Sequence, residues 1–124
     1  MIIGTGIDFI EVDRVAEKIS KANGFREKIF STNEIVFCES KTNKAEHYAA
    51  RFAAKEAFLK ATGKGLTETF DLFEIEVTND DLGKPVISLK GTLGKSAKFN
   101  RWEKIHVSLS HLKSMACAVV IIEG

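Results

Sequence analysis

Three charged side chains lie within apolar stretches of the sequence, where a charge needs a specific reason. Glu56 and Lys60, one helical turn apart, interrupt an apolar arc of a long predicted helix that should face the core. A Glu and a Lys at this spacing also form a common surface pair, worth about 0.2–0.5 kcal/mol, and the spacing alone fits both interpretations. Asp8 interrupts an apolar strand, where an acid is either a cap for the next helix or a ligand. Because Asp13 is better placed as the cap, the pattern favours Asp8 as a ligand.

The helix around these residues is predicted to run from about Asn43 to Gly63. Asn43 and Glu46 resemble a capping box at its start, and Gly63 ends it. Two adjacent apolar arcs cover most of its girth: Ala49, Phe52, Ala53 and Ala57, and then Ala50, Ala54, Phe58 and Ala61. The helix is therefore expected to be buried on more than one side. Arg51 and Lys55 share one narrow sector, which is expected to stay in water.

The remaining elements are mostly strands and short helices. Predicted helices span residues 14–28 (with a break at 23–24), 31–39 and 92–99, and predicted strands span 1–10, 73–78, 86–89, 105–109 and 115–122. Ser31 and Glu34 have the pattern of a capping box, and their helix is expected to bury Ile35, Val36 and Cys38. Phe99 is expected on the buried side of the last helix.

The strand pattern predicts the fold class. The first strand should be buried, 73–78 and 86–89 should form a hairpin with one wet face, and the last two strands should be joined by a turn at 110–114. We therefore predict an α+β fold with a mainly antiparallel sheet packed against a long central helix, as a single domain over residues 1–124.

Positive charge is concentrated in one early segment. Residues 14–28 hold five basic side chains (Arg14, Lys18, Lys21, Arg26 and Lys28) and two acidic ones (Glu17 and Glu27), which gives a local charge of +3. Arg14, Lys18 and Lys21 follow at spacings of four and three, on one helix face. Such a face is usually just solvated, and the alternative is a docking surface for an acidic partner.

Composition excludes several classes of protein. The chain has 124 residues, 44% of them apolar, and a formal net charge of +1, which does not indicate a nucleic-acid binder. Its two cysteines, Cys38 and Cys117, fit a reduced cytosolic protein better than a disulfide scaffold. No signal-peptide pattern or membrane span is evident, so we expect a cytoplasmic protein without a membrane partner.

Four separated stretches agree, in order, with the signatures of one family. They are residues 6–11 (Gly-Ile-Asp-Phe-Ile-Glu), 51–65 (with Arg-Phe-Ala-Ala-Lys-Glu-Ala-Phe-Leu-Lys-Ala), 106–111 with 116–120, and more weakly 83–85 (Gly-Lys-Pro). Together they resemble the bacterial holo-acyl-carrier-protein synthases, the short 4′-phosphopantetheinyl transferases. The resemblance spans nearly the whole chain and implies the 4′-phosphopantetheinyl transferase fold.

The resemblance also implies an activity. It is transfer of the 4′-phosphopantetheine arm of coenzyme A to a serine of apo acyl carrier protein, with release of adenosine 3′,5′-bisphosphate, in support of fatty acid biosynthesis. Magnesium would be required, with Asp8 and Glu56 as its ligands, and oxygen ligation by two carboxylates and substrate phosphates suits this ion. Lys60 would stabilise charge on the phosphates. The proton of the serine hydroxyl could pass to Glu56 or to a magnesium-bound water.

The family's substrate contacts transfer onto further positions. The resemblance implies coenzyme A contacts at Arg51, Lys60, Gly63, Lys64, Gly65, Lys84, Pro85, Ser110 and His111, and carrier-protein docking at Arg14, Lys18, Lys21 and Arg26. It also implies a homotrimer with active sites between subunits. His47 and His106 are interpreted as ordinary surface residues.

Two alternatives stand beside this function. One is a magnesium-dependent phosphohydrolase of coenzyme A or a nucleotide, using the same acid pair without a carrier protein. The other is a non-catalytic module whose basic helix binds an acidic protein and in which Glu56 and Lys60 form only a structural ion pair.

Overall fold

A computed structural model describes residues 1–63 and 70–124. Its elements in chain order are β1 (Ile2–Glu11), α1 (Val12–Ser20), α2 (Phe25–Ile29), α3 (Thr32–Glu39), α4 (Lys44–Ala61), a 3₁₀ turn (Leu72–Glu74), β2 (Ile75–Asn79), β3 (Pro85–Leu89), α5 (Gly91–Phe99), β4 (Lys104–His111) and β5 (Met115–Glu123). The strands form a three-stranded antiparallel sheet in the order β1-β5-β4 and a two-stranded antiparallel sheet of β2 and β3. The predicted α+β class is confirmed. Within the part of the chain that the structure describes, no helix is long and apolar enough to cross a membrane.

Helix α4 is the centre of the core, as its two apolar arcs predict. Seven of the eight arc residues are buried and Phe52 is half-buried. One apolar cluster packs the C-terminal half of α4 against the strands and α5, and a second packs its N-terminal half against α1 and α3. The helix ends at Ala61 and is followed by Gly63 at φ 67°, a left-handed backbone conformation that glycine adopts without a steric penalty. The predicted capping box at its start is wrong, because the Asn43 side chain makes no capping hydrogen bond.

The predicted wet sector of α4 is also wrong. Arg51 is 3% exposed and Lys55 is 0% exposed. Lys55 forms a buried ion pair with Glu34, with its Nζ 2.8 Å from Glu34 Oε1. Arg51 donates from Nη2 to Oδ1 of Asn79 at 2.8 Å. Both partners are remote in sequence, so helical periodicity alone could not reveal them.

Strand β1 is buried on only one face, contrary to the prediction. Gly6 and Asp8 face α4, whereas Ile3, Ile7 and Phe9 are 49%, 54% and 63% exposed on the opposite face. The outward face of β1 is therefore an uncovered apolar surface. The predicted capping role of Asp13 is wrong as well, because α1 begins at Val12 and places Asp13 inside its first turn.

Several local predictions are confirmed and others are corrected. The capping box of Ser31 and Glu34 is present at the start of α3, and β2 and β3 form the predicted hairpin. The hairpin has no continuous wet face, because Glu76 is buried and accepts a hydrogen bond from Ser31. Val36 and Phe99 are 66% and 88% exposed rather than buried. Strand β4 continues to His111, so the final turn is shorter than predicted.

Candidate active site

The site is built where β1 crosses α4 at backbone contact. A Cβ atom at Gly4 would lie 1.7 Å from the carbonyl oxygen of Ala61, and one at Gly6 would lie 2.0 Å from that of Ala57. Two residues of β1 span about 6.8 Å, and four residues of α4 span about 6 Å. Each successive inward-facing residue of β1 therefore lies about one helical turn closer to the N-terminus of α4. The next inward residue is Asp8. The glycines thus bring its carboxylate close to the helix turn that holds Glu56.

Asp8 is held by Lys60. The Lys60 Nζ donates to Asp8 Oδ1 at 3.0 Å and to the carbonyl oxygen of Ile7 at 3.0 Å. The Asp8 side chain is 16% exposed and that of Lys60 is 57% exposed. Lys60 therefore pairs with the strand rather than with Glu56 of its own helix, and its ammonium group is open to solvent at the rim of the site.

Glu56 is the least compensated acid of the site. It is half-buried, and burial together with the negative charge of Asp8 raises the pKa of its carboxyl above the ordinary value of 4.5. Among the described residues, no side chain donates a hydrogen bond to it. A carboxylate in this position gains from a nearby cation, because the cation relieves both the burial penalty and the repulsion.

Oxygen donors of this kind fit magnesium. The ion is bound by one or two carboxylates and completes its octahedron with water and substrate phosphates. Among the described residues, no group of three or more His, Cys, Asp or Glu side chains could enclose a metal ion. Asp8 and Glu56 are two carboxylates that could hold such an ion.

The predicted coenzyme contacts lie apart from these acids within the chain. Arg51 and Glu56, five residues apart, point about 140° apart around the axis of α4. The Arg51 guanidinium lies 4.1 Å from the ring centroid of Phe37, and its buried Nε has no hydrogen-bond partner among the described residues. Lys84 is exposed at the start of β3, next to Pro85, which pairs with Asn79, the acceptor of Arg51.

Ser110 and His111 end strand β4 instead of lying in the turn. Nδ1 of His111 is 2.9 Å from Oε1 of Glu46, and this hydrogen bond lowers the pKa of the Glu46 carboxyl. The rings of His111 and His47 have centroids 5.0 Å apart. Burial, and then the charge of His111, lowers the pKa of His47, which is therefore not the plain surface residue that was predicted. Proximity to His111 across 64 residues could not be inferred from the local sequence.

One other predicted contact lies at the C-terminal end of α4. Gly63 follows the helix directly and shares this end with Lys60. Lys64 and Gly65 lie outside the described residues.

The predicted docking residues separate into two groups. Arg14, Lys18 and Lys21 are exposed on or just after α1. Among the described residues, Lys21 is the one of the three that forms an ion pair, with Glu17 at 3.6 Å. Arg26 is ion-paired twice, at 2.7 Å to Glu27 and 3.3 Å to Glu39. Its charge is balanced within the protein, so it is the weakest candidate for binding an acidic partner.

Comparison with known proteins shows the family. The family model of the 4′-phosphopantetheinyl transferase superfamily matches residues 4–120. A holo-[acyl-carrier-protein] synthase of Syntrophus aciditrophicus is 46% identical over 125 residues, covering 100% of this chain and 98% of the relative. The chain therefore belongs to the 4′-phosphopantetheinyl transferase superfamily, which confirms the resemblance found in the sequence.

Solved structures agree over the whole fold. The crystal structure of a holo-[acyl-carrier-protein] synthase from Neisseria meningitidis has a TM-score of 0.90 and 28% identity, with 100% of both chains covered. A holo-(acyl-carrier-protein) synthase from Bacillus anthracis, in complex with CoA (3′,5′-ADP), has a TM-score of 0.81 and 36% identity, with 100% of this chain and 98% of that chain covered. The predicted 4′-phosphopantetheinyl transferase fold is confirmed.

Proposed function

We propose that this chain transfers the 4′-phosphopantetheine group of coenzyme A to a serine of apo acyl carrier protein. The products are holo acyl carrier protein and adenosine 3′,5′-bisphosphate, and the reaction supports fatty acid biosynthesis. The observation that carries the proposal is the cluster of Asp8, Glu56 and Lys60 at the contact of β1 and α4, in a chain that aligns over its full length with a holo-[acyl-carrier-protein] synthase.

Asp8 and Glu56 would hold the magnesium ion. When bound, the ion would neutralise phosphate charge and align the pyrophosphate of coenzyme A for attack. Lys60 holds the Asp8 carboxylate in place and keeps its exposed ammonium group at the rim, where it can stabilise charge that develops on the phosphates. The proton of the serine hydroxyl would pass to Glu56 or to a magnesium-bound water, and both are proposed as the base.

Coenzyme A contacts are proposed at Lys60 and Gly63 beside the acids, and at Arg51, Lys84, Pro85, Ser110 and His111. The buried Nε of Arg51 has no hydrogen-bond partner among the described residues, which supports a role in binding a phosphate, since Arg donors pair well with such oxygens. Lys64 and Gly65 remain predicted contacts. Because Arg51 points away from Asp8 and Glu56 within one chain, a site assembled from two copies would bring both sets of residues to one coenzyme.

A homotrimer with active sites between subunits is therefore part of the proposal. Its support is the outward face of the three-stranded sheet, where Ile3, Ile7, Phe9 and Val119 are 37% to 63% exposed. An apolar surface of this kind, on adjacent strands, is typical of a protein interface. Asp8 lies on the opposite face of β1, near the edge of this surface.

Arg14, Lys18 and Lys21 are proposed to bind the acidic carrier protein. They lie on or just after α1, which follows directly after the strand that holds Asp8, so a carrier docked there could present its serine to the site. We further propose that residues 1–124 act as one domain, since both apolar clusters share α4. The two free cysteines fit a reducing compartment, and we expect the protein to act in the cytoplasm.

Intact-mass spectrometry tests the function. Apo acyl carrier protein is incubated with the protein, coenzyme A and magnesium, with and without a chelator. We expect the carrier to gain the mass of one phosphopantetheine arm, and the gain to vanish with chelator or with Glu56→Gln. Phosphate release from coenzyme A without a carrier would favour the hydrolase instead, and carrier binding without turnover would favour the binding module.

A further inference from the structure

Lys55 lies next to Glu56 in sequence but points into the core, where the reaction does not use it. Its Nζ donates to Oε1 of Glu34 at 2.8 Å, to the carbonyl oxygen of Leu72 at 3.1 Å and to that of Ile75. An ammonium group has three hydrogens to donate, and each has an acceptor here. The side chain is 0% exposed, so this arrangement is not a solvent-facing ion pair.

Both carboxylate oxygens of Glu34 accept hydrogen bonds, just as all three hydrogens of the Lys55 ammonium have acceptors. Oε1 also accepts from the backbone amide of Ser31 at 2.8 Å, and Oε2 accepts from the backbone amide of Val77 at 2.8 Å. The side chain is 0% exposed. The carboxylate therefore joins the start of α3, the middle of α4 and strand β2 through one group.

The pair takes the place of a neighbouring strand on the free edge of β2. The amide of Lys90 donates to the carbonyl of Glu74, so in this antiparallel hairpin the backbone groups of residues 75 and 77 face away from β3. Buried groups on such an edge need partners. The Ile75 carbonyl binds Lys55 and the Val77 amide binds Glu34, which sets the position of the hairpin along α4.

A buried ion pair is a poor source of net stability, because removing both charges from water offsets much of their attraction. What it supplies is a defined geometry. The hairpin positioned in this way holds Lys84 and Pro85, and its Asn79 accepts from Arg51 of the same helix. The two buried cations of α4 therefore attach the hairpin to the catalytic helix at two points.

We propose that Lys55 and Glu34 are positioning residues for coenzyme A binding, acting through the β2–β3 hairpin. The inference rests on the proposed function, since it takes Lys84 and Pro85 as contacts to coenzyme A. The pair fixes the hairpin against α4, and thereby the nucleotide-binding side chains, without itself touching the substrate.

The test is the double variant Glu34→Gln/Lys55→Met, which removes both buried charges at nearly constant volume. We expect a folded protein whose dissociation constant and KM for coenzyme A both rise about tenfold or more, while KM for the carrier stays within about twofold. Hydrogen exchange at the Val77 amide should accelerate in the absence of any substrate. Glu34→Asp keeps both charges but shortens the carboxylate side chain by one methylene, and it should show a smaller change in the same direction.

The control is Ile87→Val, which trims a buried side chain of β3 and leaves the ion pair intact. It should lower the melting temperature without changing the affinity for coenzyme A. Wild-type affinity in the folded double variant, or in Glu34→Asp should the double variant not fold, overturns the proposal. So does an equal loss of affinity in the control. A wild-type protein that binds coenzyme A but transfers nothing refutes the proposed function and leaves this comparison valid, whereas one that does not bind coenzyme A refutes both.

Discussion

The substitution Gly6→Ala tests whether backbone contact between β1 and α4 sets the catalytic geometry. A Cβ at Gly6 would lie 2.0 Å from the carbonyl oxygen of Ala57, and ordinary contact begins at 3.4 Å. The strand would therefore have to move away from the helix by about 1.4 Å, the difference of the two distances. Overpacking of this kind destabilises a protein by about 1–3 kcal/mol.

The same movement should reach the site two residues further along the strand. Lys60 and Asp8 are 3.0 Å apart, so a shift of about 1.4 Å exceeds hydrogen-bonding distance unless the lysine follows. A misplacement of about 1 Å at a catalytic group can lower a rate by about 100-fold. We therefore expect Gly6→Ala to lose at least about 100-fold in kcat/KM while remaining folded at 20–25 °C.

Transfer kinetics and thermal unfolding of the two proteins measure this effect. Gly24→Ala is the matched control, because Gly24 has φ 82° with nothing within 4 Å of an added Cβ. It should lose about 1–2 kcal/mol of stability through backbone strain and retain activity. Wild-type kcat/KM in Gly6→Ala, or an equal loss of activity in both variants, would refute the argument that strand displacement is responsible.

Three further predictions concern charge and assembly. Glu56→Gln should abolish transfer. In the absence of metal it should also raise the melting temperature at pH 8, because the raised pKa of Glu56 means that ionising its carboxyl opposes folding. This gain in melting temperature should disappear below about pH 4.5, where the carboxyl is protonated in both the folded and the unfolded state. The double variant Arg14→Glu/Lys21→Glu should weaken carrier binding, more at low salt than at high salt. Arg26→Gln should weaken carrier binding less, because two carboxylates already balance the charge of Arg26. Calorimetric titration of carrier protein at two salt concentrations measures both effects. Ile7→Lys should convert the assembly to monomers, measured by sedimentation, and a persistent trimer would remove the apolar face as the interface.

Features that depend on neighbours a few residues apart could be predicted from the sequence. The capping box of Ser31 and Glu34, the extent of α4 and the β2–β3 hairpin all follow from local hydrogen bonds, helical periodicity and turn residues. The unusual positions of Asp8 and Glu56 were also evident, because an acid in an apolar pattern is visible without a structure.

Partners remote in sequence could not be predicted. The position of Lys55 on α4 would equally fit an exposed lysine. Its burial is explained by contacts with Glu34, Leu72 and Ile75, which are 21, 17 and 20 residues away. Arg51 is likewise explained by Asn79, 28 residues away.

The sequence by itself determined the extent of α4, the class of fold and the family, because short-range periodicity, residue type and ordered motifs carry that information. The assignment of Asp8, Glu56 and Lys60 to a phosphate-bearing substrate stays a prediction. Tertiary structure alone decided that Lys60 pairs with Asp8 rather than with Glu56, and that β1 leaves an apolar face uncovered. The physical reason is that Gly4 and Gly6 allow the backbones of β1 and α4 to touch, and this contact sets distances between side chains that are about 50 residues apart in the chain.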